Sequence, residues 1–341
     1  VRPVTHHEIR LARRPRGGPG PDTFEIAETT LPAPGPGQLL VRNRLMSVTA
    51  VTRTLLDAGE QGDLPMPPYA VGEPLWGPAL GEVVAVGDPG RGDGPAVGEL
   101  VHHYRGWREY ALVEAGEAER LPTEGPQALP DPAARLGQGF PAWLGVVRGA
   151  RVREGDTVFV SGAAGGVGSL AGQFARRYGA ARVIGSCGSP RRAEALVNEL
   201  GYDAAVVRGA GPVEDQLREA APDGVDAVFD NVGGEQLEAA LRLARPGARV
   251  AVVGALARQL GDAPPVRLDT FALLSRGVTL RGLPASDHRD ALPRFRKEFA
   301  AGLRDGSLTV PYTVLKGIEQ APRALTELLE GRHVGAVLVE L

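Results

Sequence analysis

The sequence predicts an α/β protein: a doubly wound parallel sheet of six strands joined to a mostly β domain with a partly open barrel. Three observations carry the prediction. From Asp156 onward, short β-like runs alternate with helical patterns, as in a sheet covered by helices on both faces. Residues 1 to about 124 are instead rich in Gly and Pro between short β-like runs, the texture of a β domain. Between the first strand and the first helix of the alternating part lies Ser161-Gly-Ala-Ala-Gly-Gly-Val-Gly-Ser169, a turn with few side chains.

Taken in chain order, 38–42, 81–86 and 110–113 read as strands, and 87–98 reads as a loop by composition. Strands of the parallel sheet are expected at 157–160, 182–186, 204–207, 226–230, 249–253 and 278–281. After the first of them, Val167, Leu170, Ala171, Phe174, Ala175 and Tyr178 recur at spacings of three and four. They line one face of a helix that Gly179 ends. Helical patterns near 290–304 and 319–330 and a strand at 335–340 close the chain and are expected to pack back on the β domain. The division this suggests is a β-rich domain from 1–124 and 305–341, with a nucleotide-binding domain at 125–304 between. No internal repeat is visible.

Composition narrows the function classes. With 341 residues there is chain enough for two cores, and a net charge of −3 lacks the basic excess that a general nucleic-acid or anionic-membrane binder needs. Cys187 is the only cysteine, so neither an internal disulfide nor a cysteine-cluster metal site can form. The first residues are polar, without an apolar h-region, and the longest core-like run, Val250-Ala-Val-Val-Gly-Ala-Leu-Ala257, is too short to span a bilayer. The expectation is a cytoplasmic protein that acts on a small molecule, with no nucleic-acid or membrane partner.

The glycines say which small molecule. A helix start presents unpaired N–H groups and a partial positive charge, which suit an anion. Ala163-x-Gly165-x-x-Gly168 matches the dinucleotide fingerprint with Ala in the first place. Gly165 admits a pyrophosphate to the backbone, and Gly168 lets the helix pack on the strand. The competing reading is a tight strand–helix turn with no ligand.

Sites for the unphosphorylated dinucleotide usually carry an acid at the end of the second strand. Here that strand runs into Gly185-Ser-Cys-Gly-Ser-Pro-Arg-Arg192, with no acid. Ser189 reads as an N-cap and Pro190 as the first helical residue, which puts Arg191 and Arg192 in a first turn whose dipole disfavours cations. A bound 2′-phosphate resolves that conflict and favours NADP(H). Two solvated arginines in an arginine-rich chain are the alternative.

With these residues in hand, the chain resembles the zinc-independent branch of the medium-chain dehydrogenase/reductase superfamily, in particular the prostaglandin reductase and alkenal/one oxidoreductase family. The marks are Gly72-Glu73 with Gly81-Glu82-Val83, Gly106-Trp-Arg-Glu-Tyr110, Ala163-Ala-Gly-Gly-Val-Gly-Ser169, Gly188-Ser189 with Arg192, Phe229-Asp-Asn-Val-Gly-Gly234 and Gly254-Ala255. The resemblance implies a Rossmann domain beside a GroES-like catalytic domain, a homodimer through edge strands near Val278, and NADPH-dependent reduction of the C=C bond of α,β-unsaturated carbonyl compounds.

By position it also implies roles. Ala163, Gly165, Gly166, Val167 and Gly168 line the pyrophosphate. Ser189, Arg192 and Arg208 serve the 2′-phosphate. Asn231, Val253, Gly254 and Ala255 meet the nicotinamide half, Leu283 borders its carboxamide, and His333 stands where the family offers an Asn. The chain departs from the family at Ser47-Val-Thr-Ala-Val-Thr-Arg53, at Pro141 and around Ser286. Where zinc-bearing relatives place Cys and His, Ser47 and Glu73 stand, so no metal is expected.

Proton donors are less marked. Tyr69 and Tyr104 are the candidates, with His102 and His103 beside the latter on a strand whose neighbours alternate faces. Trp76, Trp107 and Trp143 suit either a pocket or a core. Tyr312-Thr-Val-Leu-Lys316 spells the pair of short-chain dehydrogenases, yet its β-branched neighbours favour an extended segment, where the pair cannot meet. A quinone oxidoreductase of the same superfamily and a catalytically silent NADP(H)-binding protein remain as alternatives.

Overall fold

The polar N-terminus forms a hairpin absent from the sequence reading. In the computed structural model, which describes residues 2–57, 66–87, 94–261 and 264–341, β1 (Val4–Leu11) pairs antiparallel with β2 (Phe24–Leu31). Its charged and threonine-rich outer face hid the alternation, but Ile9 and Leu11 point inward and are fully buried. Residues 88–93 of the expected loop lie outside the described residues.

Next come β3 (Gln38–Val48), a short helix α1 (Val51–Leu56), β4 (Ala79–Val86), β5 (Leu100–His103), β6 (Tyr110–Glu114) and β7 (Glu119–Arg120). β3 is the long strand of this unit. One edge pairs with β4, while the other takes β6 at its start. Asn43, buried at the bend, donates to the carbonyls of Arg105 and Arg108 and ties the Gly106-Trp-Arg segment to it.

The second unit holds the parallel sheet. Helix α2 (Gly139–Leu144) continues into a π-helical turn, Gly145–Gly149, which the sequence reading lacks. Then β8 (Thr157–Val160), α3 (Gly168–Arg177), β9 (Arg182–Cys187), α4 (Pro190–Asn198), β10 (Ala204–Val207), α5 (Val213–Ala220), β11 (Val225–Asp230), α6 (Gly234–Arg242) and β12 (Ala244–Val252) alternate. Two short helices, α7 (Leu256–Leu260) and α8 (Thr270–Arg276), precede β13 (Thr279–Gly282), and α9 (Leu292–Asp305) follows it.

The sheet order is β10-β9-β8-β11-β12-β13, all parallel, so the chain reverses direction between β8 and β11. In register across it, Ile184, Phe159, Val228 and Val250 form one buried row. Each such side chain removed from water contributes roughly 1.5–3 kcal/mol. At the far edge all four residues of β13 are exposed.

The chain returns to the first unit with β14 (Tyr312–Lys316), α10 (Ala321–Leu329) and β15 (Ala336–Glu340). β15 lies between β14 and the end of β3, inside a seven-stranded sheet of order β14-β15-β3-β4-β5-β7, with β6 as the seventh strand paired to the start of β3. Tyr312 and Lys316 are therefore on a strand. They face different partners, Asp131 at 2.6 Å and Glu340 at 3.7 Å.

The two units comprise Val1–Leu136, Tyr312–Arg332 and Ala336–Leu341, and Gly137–Pro311 with His333–Gly335. These boundaries fall later than 124 and 304. Ala133 and Leu136 pack with Leu80, Leu121 and Leu338, which keeps them with the β unit. Thr309 exchanges two bonds with the Gln173 side chain on α3, its N–H donating at 2.8 Å and its carbonyl accepting at 2.9 Å, which keeps 305–311 with the parallel sheet.

Candidate functional site

The ends of β8 and β11, where the strand order reverses, are the place where an open parallel sheet leaves room for a ligand. The turn out of β8 is held from several sides. The Gly162 amide donates to the Ser186 hydroxyl at 3.0 Å, and the Ala163 amide to the Ser186 carbonyl at 2.8 Å. Ser186 in turn donates to Gln236 on α6. Tyr202, wholly buried, donates from its hydroxyl to the Gly168 carbonyl at 2.7 Å and so props the first turn of α3.

The glycines here differ in kind. A Cβ on Gly168 would lie 2.6 Å from Ala163 Cα, so only Gly lets α3 start so near the strand. A Cβ on Gly165 would meet nothing closer than the Gly162 carbonyl at 3.5 Å, and no positive φ demands glycine there. The fold tolerates a side chain at 165; what the missing Cβ opens is the approach to the backbone. Ala163 is fully buried, whereas Gly166 and Val167 are partly exposed at the mouth of the helix. The short piece His333–Gly335 runs beside this turn, with the Gly335 amide donating to the Ala164 carbonyl at 2.9 Å. That bond holds half-buried His333 near the glycines.

At the end of β9, Ser189 caps α4 by accepting the Arg192 amide, and Pro190 opens the helix. Above Gly188 two guanidinium groups converge: a Cβ there would lie 3.5 Å from Arg208 Nη2 and 3.9 Å from Arg192 Nη1. Among the described residues no carboxylate pairs with either. Arg192 Nε is buried without a partner, and burial, with Arg208 adding repulsion, lowers its pKa. Two like charges side by side are stable only if a third party neutralises them, and a phosphate dianion is of the right size and sign.

Asn231 follows β11. Its side-chain amide donates to the Ser161 carbonyl at 3.2 Å, which leaves its Oδ1 to accept from a ligand. Val253, Gly254 and Ala255 lead out of β12, partly to fully exposed. A Cβ on Gly254 would stand 2.8 Å from the Asn231 carbonyl, so the two turns touch. Leu283, after β13, donates its amide to the Val252 carbonyl at 3.1 Å. Its side chain packs against the π-helical turn, where a Cβ on Gly149 would stand 2.6 Å from Ala251 Cβ. The expected cofactor residues thus gather at one end of the parallel strands. Sequence reasoning missed Ser161, Ser186, Gln236 and Tyr202, polar or aromatic groups that hold this end in place. The signal was present only in a Ser closing each of the first two strands.

The candidate donors belong to the β unit. Tyr69 is 3% exposed, packs on Trp76 with ring centres 5.3 Å apart and donates its hydroxyl to the Trp76 carbonyl at 2.8 Å. Burial pushes its pKa up to about 12. Tyr104 is 53% exposed, edge-on to His102, and its hydroxyl has no partner among the described residues. His103 is buried with its Nδ1 accepting the Arg105 amide at 3.0 Å. Trp107 and Trp143 are core residues. Ser47 is buried and Glu73 exposed, and among the described residues no three His, Cys, Asp or Glu side chains gather as metal ligands. No described helix is long and apolar enough to cross a membrane.

Known proteins match both units of the chain. Residues 166–301 match the family described as zinc-binding dehydrogenase, and residues 7–121 the one described as the N-terminal domain of oxidoreductase. A putative NADP-dependent oxidoreductase of Bacillus subtilis is 32% identical over 99% of this chain and 98% of its own. An NADP-dependent 2-alkenal reductase of Nicotiana tabacum is 28% identical over 98% and 97%. The crystal structure of CurA from Vibrio vulnificus in complex with NADPH superimposes with a TM-score of 0.88 at 28% identity, covering 98% of both chains. With its sheet order, its glycine turn and relatives that match end to end, the chain belongs to the NADP-dependent medium-chain dehydrogenase/reductase family.

Proposed function

We propose that the protein is an NADPH-dependent reductase of the C=C bond of α,β-unsaturated carbonyl compounds. The observation that carries the cofactor half is the pair Arg192 and Arg208, converging over Gly188 without a carboxylate. The tobacco relative, named for alkenals, supports the substrate half.

When bound, NADPH supplies the hydride. The chain does the rest. Arg192 and Arg208 hold the 2′-phosphate, and Ser189 fixes the first turn of α4 from which Arg192 projects. Ala163, Gly165, Gly166, Val167 and Gly168 give the pyrophosphate a backbone to rest on. Asn231, Val253, Gly254, Ala255, Leu283 and His333 orient the nicotinamide half. As the hydride reaches the β-carbon, negative charge builds on the carbonyl oxygen, where a positioned O–H hydrogen-bonds to it, and a proton taken up at the α-carbon from that group or from water completes the reduction. Tyr104 Oη is without a partner among the described residues, whereas Tyr69 Oη already donates to the Trp76 carbonyl. A Lewis acid is not needed for this charge, in keeping with Ser47 and Glu73 at the places where relatives set ligands.

The protein works as a homodimer in this reading, and β13 supports it. That edge strand is exposed, and Phe271 and Leu274 of α8, the helix that precedes it in the chain, are 74% and 77% exposed, apolar surface that a second copy would cover.

The test is consumption of NADPH, followed at the nicotinamide absorbance band, with a panel of 2-alkenals, enones and quinones. Saturable turnover of alkenals or enones with deuterium from labelled NADPH at the β-carbon is the expected result. Turnover of quinones alone, or of nothing in the panel, overturns the substrate half.

A further inference from the structure

Asp230 ends β11 and has no part in the function proposed above, although its surroundings are unusual. It is 1% exposed, forms no ion pair among the described residues, and burial raises its pKa. A carboxylate in that position persists only where neutral donors converge on it, and they do. The Ser161 hydroxyl donates to it at 2.7 Å, and the Gly233 amide reaches its two oxygens at 3.1 and 3.0 Å.

Ser161 relays this outward. While its O–H donates to Asp230, its oxygen accepts the amides of Asn231 at 2.8 Å and Val232 at 3.2 Å. The Asp230 carbonyl meanwhile accepts the amides of Val253 at 2.8 Å and Gly254 at 3.2 Å. One residue therefore ties together the ends of β8, β11 and β12. The turns after β11 and β12 are those to which the proposed function assigns the nicotinamide half, and the inference rests on that assignment. The adenosine end stands apart on β9 and β10, where Arg192 and Arg208 make no bond to this cluster.

We propose that Asp230 is the positioning residue for the nicotinamide half of the site: its carboxylate, through Ser161 and the Gly233 amide, fixes the Asn231–Gly233 turn, and the Val253-Gly254 turn rests on that end of β11 through the Asp230 backbone carbonyl. Only a group that accepts on both sides serves here. An amide would set an N–H against the Gly233 N–H or the Ser161 O–H, and the turn would have to move.

Asp230→Asn is the test, with Ser161→Ala as a second variant that removes the relay and leaves the carboxylate. Two ligands separate the ends of the site: 2′,5′-ADP, which reaches only the adenosine end, and NADPH, which spans both. For each protein, their dissociation constants are measured by calorimetry, together with the melting temperature and kcat with an alkenal. The expected result is NADPH binding weakened roughly ten- to hundredfold in Asp230→Asn, as for loss of a charge-assisted hydrogen bond, with 2′,5′-ADP binding unchanged. Ser161→Ala should change in the same direction. Equal NADPH affinity and kcat in both variants and the wild type would overturn the proposal. So would parallel loss of both ligands, or failure of both variants to fold, which would make Asp230 a support for the whole sheet. Failure of wild-type protein to bind either ligand would sink the cofactor reading instead, a result distinct from these.

Discussion

Arg192 and Arg208 illustrate how a residue can be understood by what it lacks. Many of the described arginines lie against a carboxylate, as Arg249 does against Asp156 or Arg148 against Asp290, whereas these two lie against each other. Arg192→Ala should therefore raise the KM for NADPH roughly ten- to hundredfold and leave that for NADH nearly unchanged. Steady-state kinetics with both dinucleotides checks this, and equal losses for the two would refute it.

His103 is a second case. Burial, and after it Arg108 and Arg105, lowers its pKa from 6.5 to about 3. Below pH 6.5 the unfolded chain takes up a proton that the folded one refuses until about pH 3. Its contribution to stability is thus complete above 6.5 and is lost as pH falls toward 3, at up to about 1.4 kcal/mol per pH unit. Urea unfolding between pH 7 and 4 should show this slope, and His103→Asn, which keeps an acceptor for the Arg105 amide, should flatten it.

Among the elements, the strand–turn–helix of β8 and α3 separates a glycine that serves the fold from one that serves the ligand. Gly168→Ala should destabilise by about 1–3 kcal/mol, the usual cost of forcing volume into a packed place, because its Cβ would press on Ala163. Gly165→Ala should melt like the wild type yet bind NADPH several-fold more weakly, since only the ligand needs that space. If Gly165→Ala bound NADPH normally, the pyrophosphate would not lie where the motif puts it.

The same segment shows what was legible in the sequence. The strands 157–160 and 204–207 were readable to the residue because the runs Thr-Val-Phe-Val and Ala-Ala-Val-Val are almost wholly apolar and end at Ser161-Gly and Arg208-Gly. β1, β2 and the early part of β12 were not, since Thr, His and charged residues interrupt the apolar positions of the first two, β12 opens on Ala-Arg-Pro-Gly, and what holds them is pairing with another strand. At the site, the motif revealed the glycines and Arg192. It did not reveal that Tyr69 would lie in a core, nor that Asp230 would join three turns. Both depend on tertiary neighbours that no local pattern encodes.

At the scale of the molecule, the proposed association has a direct test. Phe271→Glu with Leu274→Glu, both on exposed positions of α8, should convert a dimer to a monomer in light scattering after size exclusion, with NADPH affinity retained. A wild-type protein that is already monomeric would remove the case for β13 as an interface.

The position of β15 has a consequence for how the protein is made. Residues 336–340 do not lie at a rim but between β14 and β3, so the β unit begun at the N-terminus lacks an interior strand until translation has passed the parallel sheet. On the ribosome, the later-encoded unit can close first, while the earlier one waits with the inner edge of β3 unpaired. Chaperone demand should therefore track the first 136 residues, the stretch that is longest exposed.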